Sequence, residues 1–339
     1  AKQKTKISYT NNFSWSSPAR LPEMPRSDVW AEMWNKAYEY DSPGTYYFND
    51  KFMEALKAYI NDPVNNPPIL VDTEGIQDSI YTPDNPGWAY VGNTDWLDAF
   101  YKDAAFMQQH NVSISGGTER NSYYASLGYK DQSGIFRFGN DKYNRFNLSF
   151  NFDTKVFDWL DLGFSTRINY IKSDEPYMDN QGSNAVTWFY EVYRMFPTLS
   201  IYLPNGDFAG LYLNSGNYNV AGRMALAGRN VDNTWDQWYT GRFDIHPIKG
   251  LSIKGDYSWN RYSINNKTNR TELTQTFPEG RPAYATETPN YVINSNSNNI
   301  YKAFNVWAEY NKVFNESHDF TVMLGYNQEE KTYSSTSYT

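Results

Sequence analysis

Leu160-Asp-Leu-Gly-Phe-Ser-Thr-Arg-Ile-Asn-Tyr170 alternates without a break. Leu160, Leu162, Phe164, Thr166, Ile168 and Tyr170 share one face, and Asp161, Gly163, Ser165, Arg167 and Asn169 share the other. Successive side chains of a β-strand point to opposite faces, so this segment has one apolar wall and one polar wall. A water-soluble sandwich can use such a strand with its apolar face inward, and a transmembrane barrel can use it with that face outward. The surrounding chain decides between them.

Nine stretches repeat the pattern. Upstream lie Lys4–Trp15, Gln109–Thr118, Ser122–Lys130 and Arg145–Asp153, the last with Phe146, Leu148, Phe150 and Phe152 on one face. Downstream lie Trp235–Ile245, Leu251–Tyr262, Tyr301–Phe314 and Asp319–Glu330. Tight turns at Glu119–Asn121, Lys155–Trp159, His246–Gly250 and Asn315–His318 follow every even-numbered stretch. Every odd-numbered stretch is followed by a longer connection. Three are long excursions, at about 16–108, 173–233 and 263–299, and one is a short polar loop near Phe138–Tyr143. A sandwich has no reason to keep that parity, whereas an outer-membrane barrel keeps short turns in the periplasm and long loops outside. The expected fold is all-β, a transmembrane antiparallel β-barrel. Apolar Phe146, Leu148, Phe150, Leu162, Phe164, Ile253, Val322 and Leu324 should face lipid and their neighbours the lumen. Nine strands would leave two edges unpaired in lipid, and single-chain bacterial barrels have even strand numbers. Residues 1–339 therefore read as a partial barrel domain within a larger polypeptide.

Composition agrees. The mean hydropathy is −0.74, and no run approaches the roughly 20 apolar residues of a membrane-crossing helix. Yet 18% of the residues are aromatic, 30 of them tyrosine, as aromatic girdles at two membrane interfaces would require. The absence of cysteine excludes a disulfide framework and thiolate metal sites. The net charge of −8 argues against a nucleic-acid surface. No charged-then-apolar leader opens the sequence, so it reads as a mature chain or a piece of one.

The first excursion is too long for a structureless loop and should hold two helices. One begins with Ser27 as N-cap and Asp28 in the first turn, and carries Trp30, Met33, Trp34 and Ala37. The other spans Asp50–Ile60, with Phe52, Leu56 and Tyr59 on one face. Trp30 and Trp34 should form an exposed patch that needs cover. Proline joints at Pro63, Pro67-Pro68, Pro83 and Pro86-Gly87 break the chain around them.

Several stretches resemble the SusC/RagA family of TonB-dependent outer-membrane transporters. The most specific block is His110-Asn-Val-Ser-Ile-Ser-Gly-Gly-Thr118, with Tyr123-Tyr-Ala-Ser-Leu-Gly-Tyr129 and Asp131-Gln-Ser-Gly-Ile135. Arg145–Asn151, Ile245–Gly255, Asn311–Phe314 with His318–Tyr326, and Lys4–Phe13 are similar to further strands of that family, in family order. The resemblance covers all nine strands but not the loops. It implies a barrel of 22 strands closed by a plug domain that would precede residue 1. It also implies a bacterial outer-membrane location, a SusD-like lipoprotein partner and energy supplied by the TonB complex. The implied cargo is an oligosaccharide or oligopeptide, with oligosaccharide favoured on the family's commonest substrates. The remaining class is a barrel that serves only as a structural anchor or adhesin.

The residues suggest no enzyme and no cofactor. His246 and His318 fall at periplasmic turns and His110 near the opposite rim, so the three cannot share a metal. The pair Gly116-Gly117 reads as a bend or bulge within a strand. Candidate ligand contacts lie in the second excursion: Trp188, Tyr190, Tyr193, Arg194, Tyr212 and Arg223, with Tyr202 and Tyr218 nearby. Aromatic faces beside amide and guanidinium donors suit sugars, which offer C–H faces and hydroxyl edges, and also suit peptides.

Overall fold

The alternating stretches pair in chain order into one antiparallel sheet. The computed structural model describes residues 3–44, 46–71, 88–177, 188–210, 219–278, 280, 282–284, 290–315 and 318–339. β1 (Gln3–Ser16) leads to α1 (Ser27–Asp41), α2 (Asp50–Asn61), the short pair β2 (Ile69–Val71) and β3 (Trp88–Tyr90), and α3 (Trp96–Phe100). Next come β4 (Ala105–Gly117), β5 (Asn121–Ser133), β6 (Lys142–Phe157) and β7 (Leu160–Pro176), then α4 (Trp188–Tyr193) and α5 (Val220–Leu226). β8 (Gly228–Ile248) and β9 (Leu251–Arg270) precede a second short pair, β10 (Thr274–Thr276) and β11 (Pro282–Tyr284). β12 (Tyr291–Phe314) and β13 (His318–Tyr338) complete the chain. The large sheet has nine strands in the order β1-β4-β5-β6-β7-β8-β9-β12-β13.

Register carries the apolar face from strand to strand. Leu162 lies opposite Phe243, Phe243 opposite Gly255, Gly255 opposite Val306 and Val306 opposite Tyr326. In the other direction Leu148, Leu127, Val112 and Tyr9 form one row. Leu162 and Phe164 are 42% and 40% exposed and Leu324 is 79% exposed, so no second layer of the described residues covers this face. Water would not tolerate an apolar sheet face of this extent, whereas hydrocarbon does. Aromatic pairs bracket the face. Tyr129–Phe146 (4.8 Å) and Tyr170–Trp235 (4.5 Å) stand toward the long loops, and Phe157–Trp159 (5.4 Å) stands at the short turns. The sheet is wall of a transmembrane β-barrel.

The strands run further than the alternation suggests, and the largest extensions lie at the long-loop end. β12 begins at Tyr291 and β9 ends at Arg270, so the connection between them is 271–290 rather than 263–299. Likewise the earlier connections shorten to 17–104 and 177–227. Beyond the apolar band both faces become polar, as in Ser295-Asn-Ser-Asn-Asn299, and the periodic signal disappears although the ladder continues. Side-chain amides hold these extensions: Asn266 Nδ2 donates to Asn230 Oδ1 and Asp232 Oδ1, each at 2.7 Å. A crossing needs about 9–11 residues, so the 24 residues of β12 must project well past the bilayer.

Three local expectations are corrected. Ser27 is the first helical residue, with Arg26 at the cap position; its N–H is taken by Asn93 Oδ1 at 3.0 Å, a cap supplied from a distant segment. Gly116 and Gly117 pair regularly with β5, and the irregularity lies opposite them in β1, between Gln3 and Lys6. A Cβ on Gly116 would sit 2.5 Å from the Tyr123 hydroxyl, so a larger residue there must push the end of that ring aside. Trp30 and Trp34 are not an open patch: both pack on Phe196 of the 177–227 connection, with ring centroids 4.6 and 6.0 Å away. The second helix stands as expected, with Asn49 Oδ1 accepting from Phe52 N at 2.9 Å. Pro83 and Pro86-Gly87 lie outside the described residues.

The core lies outside the sheet, in the long connections. One buried cluster joins Trp88, Tyr90, Trp96 and Phe100 of the first connection to Val192, Leu199, Val220 and Met224 of the third and Phe277 of the fourth. Ile135, Phe136 and Phe138 of the short 134–141 connection pack against it. Backbone and side-chain bonds link the same segments: Gly92 N to Thr198 O (2.8 Å), Trp96 Nε1 to Phe196 O (3.0 Å), Tyr90 Oη to Gly210 O (2.8 Å) and Gly210 N to Thr276 O (2.7 Å). The four connections fold as one body on the long-loop rim.

Candidate functional site in the polar wall and loop body

Pairing register sorts the polar face of the sheet into rows. Toward the short turns, Asp153, Gly163, Arg242, Asp256, Asn305 and Asn327 lie side by side. Arg242 Nη2 reaches across β7 to Asp153 Oδ1 at 2.6 Å, and Asn305 Nδ2 donates to Asp256 Oδ2 at 2.9 Å. One row further down, Lys254 Nζ meets Asp244 Oδ2 at 3.4 Å. Arg242, Asp153 and Asp161, with Glu119, Arg120 and Lys155, border a hollow of about 830 Å³. Gly163 keeps the path between Arg242 and Asp153 open, because a Cβ there would come within 2.4 Å of Arg242 Nε and 2.6 Å of Asp153 Oδ1. Gly163→Val should break this pair and lower stability by about 0.5–1 kcal/mol, since both partners are half-exposed. Urea titration of the variant against Asp153→Asn checks it: the two losses should be similar and not additive.

The middle row is Ser8-Ser113-Ser126-Ser149-Arg167-Trp238-Asn260-Tyr301-Lys331, one residue from each of the nine strands. Its first four residues are serine; the other five alternate donors with rings. Arg167 stands 5.9 Å over the Trp238 ring, and the Trp238 and Tyr301 centroids are 6.0 Å apart. Asn260 Nδ2 is held by Asp236 Oδ1 at 2.8 Å. Ser149, Asn151, Ser165 and Thr240 border a second hollow, of about 320 Å³, beside Arg167. Sequence reading put Arg167 on the polar face but did not group it with Trp238 and Tyr301, which come from strands far apart in the chain. Register alone brings them together.

In the loop body, α4 separates the expected contacts. Tyr190, Tyr193 and Arg194 are exposed together, with the Arg194 guanidinium 5.0 Å over the Tyr190 ring and Phe189 stacked on Tyr193 at 6.1 Å. Trp188 turns inward, 6.5 Å from Phe100, and Arg223 is buried on α5. These two therefore shape the body from behind its surface. Tyr202 is exposed and pairs with Phe208 at 4.9 Å, while Tyr212 and Tyr218 lie outside the described residues. Two carboxyls of the body have shifted titrations. The Arg26 guanidinium, bonded at 2.7 Å, holds Asp28 below the usual carboxylate range, and burial pushes Asp141 above it. The histidines stand apart: His110 bonds Tyr9 Oη at 2.7 Å on the apolar face, His246 approaches Asp244 at 3.2 Å, and His318 pairs with Phe314. Among the described residues no three acidic or histidine side chains gather as metal ligands.

No family model matches the chain. A TonB-dependent receptor, P26, of Formosa agariphila is 31% identical over 188 residues, which cover 54% of this chain and 17% of that protein. The TonB-dependent receptor SusC of Bacteroides thetaiotaomicron is 34% identical over 89 residues, 26% of this chain and 8% of that one. The matched stretches thus span less than a fifth of those curated relatives. Among solved structures, the RagAB peptide importer in its closed-closed state superposes with a TM-score of 0.68 at 22% identity, over 99% of this chain and 36% of that one. Its open-open state gives 0.67 at 21%. At that identity the likeness speaks for the fold, and the curated relatives speak for kinship. The chain is thus similar in sequence to stretches of TonB-dependent receptors, SusC among them, and in fold to part of the RagAB importer.

Proposed function

We propose that the intact parent protein imports an oligosaccharide or oligopeptide across a bacterial outer membrane, driven by TonB and assisted by a SusD-like surface lipoprotein. The observation that carries this is the pairing of an apolar outer wall with a polar inner wall, in a chain whose curated relatives are TonB-dependent receptors. RagAB is described as a peptide importer, which keeps peptides among the candidate cargoes. The long-loop rim is read as extracellular, with the loop body as the first surface a solute or lipoprotein lid meets. Tyr190, Tyr193 and Arg194 are its proposed contacts. Trypsin added to intact cells should cleave in the loop body and leave the short turns untouched; cleavage confined to the periplasmic side would reverse the topology. Deletion of the gene should abolish growth on the cognate glycan or peptide, and loss of TonB should have the same effect. Uptake that survives loss of TonB but not of this protein would make the protein a passive pore.

A further inference from the structure

A row near the long-loop end of the polar face differs electrostatically from the rows below it. There Lys130 lies directly opposite Arg145, with Gln109 and Ile171 on their outer sides. Like charges placed opposite each other in a sheet repel. The charges lower on the wall are compensated, Arg242 by Asp153 and Lys254 by Asp244. These two are not: among the described residues neither meets a carboxylate. Lys130 Nζ rests 5.6 Å over the Tyr143 ring, and Arg145 Nε is buried with no hydrogen-bond partner. Asp131, next to Lys130 in sequence, points to the opposite face and accepts from Asn144, while the polar-face acids toward the loops are engaged by other partners, Glu175 by Ser173 Oγ and Asp232 by Asn266. Two rows below, Arg167 likewise has only the Trp238 ring. In a chain with 38 acidic and 30 basic residues, three uncompensated cations on one stretch of wall call for an anion from elsewhere.

We propose that Lys130 and Arg145 form a carboxylate- or sulfate-binding step at the lumen mouth, which selects acidic cargo. The inference rests on the importer reading and names the class of solute. The cation pair sits a few residues inside the long-loop end of β5 and β6, on the wall that a solute leaving the loop body would pass. Arg145 supplies a planar fork for an oxyanion and Lys130 a point charge beside it. Arg167, lower on the wall over Trp238, offers the next such contact.

The test uses the full-length receptor, purified with any lipoprotein that accompanies it. Its probes are a tetragalacturonate and its methyl ester, and a glutamate-rich pentapeptide and its glutamine counterpart. The acidic member of at least one pair should bind about tenfold more tightly than the neutral one, with the difference shrinking as salt rises. The double variant K130Q/R145Q should erase that difference and leave neutral binding unchanged, while K130R/R145K should retain it. Equal binding of acidic and neutral probes, no binding of either acidic probe, or selectivity that survives in K130Q/R145Q overturns the proposal. So does a K130Q/R145Q receptor that loses thermal stability but keeps its selectivity, because the cations would then serve an acidic segment of the protein itself. Uptake measured in parallel with and without TonB separates the two readings: TonB-independent uptake removes the importer reading, whereas TonB-dependent uptake without acidic preference removes only this one.

Discussion

Phe164→Lys should cost the intact barrel about 2–4 kcal/mol, and Ser165→Lys, one residue on, only a small fraction of that. Phe164 lies on the apolar face, opposite Phe152 on β6 and Gly241 on β7's other neighbour, β8. It is 40% exposed with no layer of the described protein over it, so its surroundings are hydrocarbon. A lysine there must either bring its charge into lipid or stretch to the interface, and mid-depth leaves it far from both rims. Ser165 faces the other way, into a row with Asn151 and Thr240, where water and amides solvate an ammonium group. Urea titration of the full-length receptor folded into lipid vesicles would read the difference. Equal losses at the two positions would mean that the faces are assigned wrongly.

The contrast between adjacent residues explains how much of the fold was legible. Alternation from Leu160 to Tyr170 needs no knowledge of the partner strands, and all nine stretches read this way appear in the sheet, in order and with the expected turn parity. The strand ends were not legible because Asn, Ser and Thr on both faces carry no period; their pairing is stabilised by side-chain amides and by continuation of the ladder. The loop body was legible only in part. α2 announced itself through the spacing of Phe52, Leu56 and Tyr59, whereas α3, α4 and α5 are five to seven residues long, too short to show a helical period. Trp30 looked like an exposed residue because its cover, Phe196, lies in another connection. The same limit applies to the polar wall: Arg167, Trp238 and Tyr301 share a row only once the register is known.

Asn219→Ala should loosen the loop body more than any surface change in it. Asn219 is fully buried just before α5, and its side chain joins three segments at once. Nδ2 donates to Ile201 O and Ala209 O, each at 2.9 Å, and Oδ1 accepts from Gly222 N at 2.7 Å as the helix cap. Its backbone N–H donates to Gln275 Oε1 at 2.9 Å and its carbonyl accepts from Gln275 Nε2 at 3.1 Å, tying the third connection to the fourth. Alanine keeps the backbone bonds and strands three buried partners, at about 1–3 kcal/mol each. The loss should therefore reach about 3 kcal/mol even at the low end. Asn219→Asp keeps the cap but turns a carboxylate oxygen toward two carbonyls, so it should be worse than alanine at neutral pH. Burial beside those carbonyls raises that carboxyl's folded-state titration above its unfolded one, so stability should return on acidification toward the unfolded value, about 3.9. Asn205→Ala, at an exposed turn bonded only to Asp207, serves as control and should change stability by less than about 0.5 kcal/mol. Hydrogen exchange at Val220–Leu226, together with tryptic cleavage on intact cells, measures the effect where it occurs. Faster exchange confined to α5 would make Asn219 a local cap. Faster exchange spreading to Trp96–Phe100 and Gln275 would show the connections opening as the single unit their shared core requires.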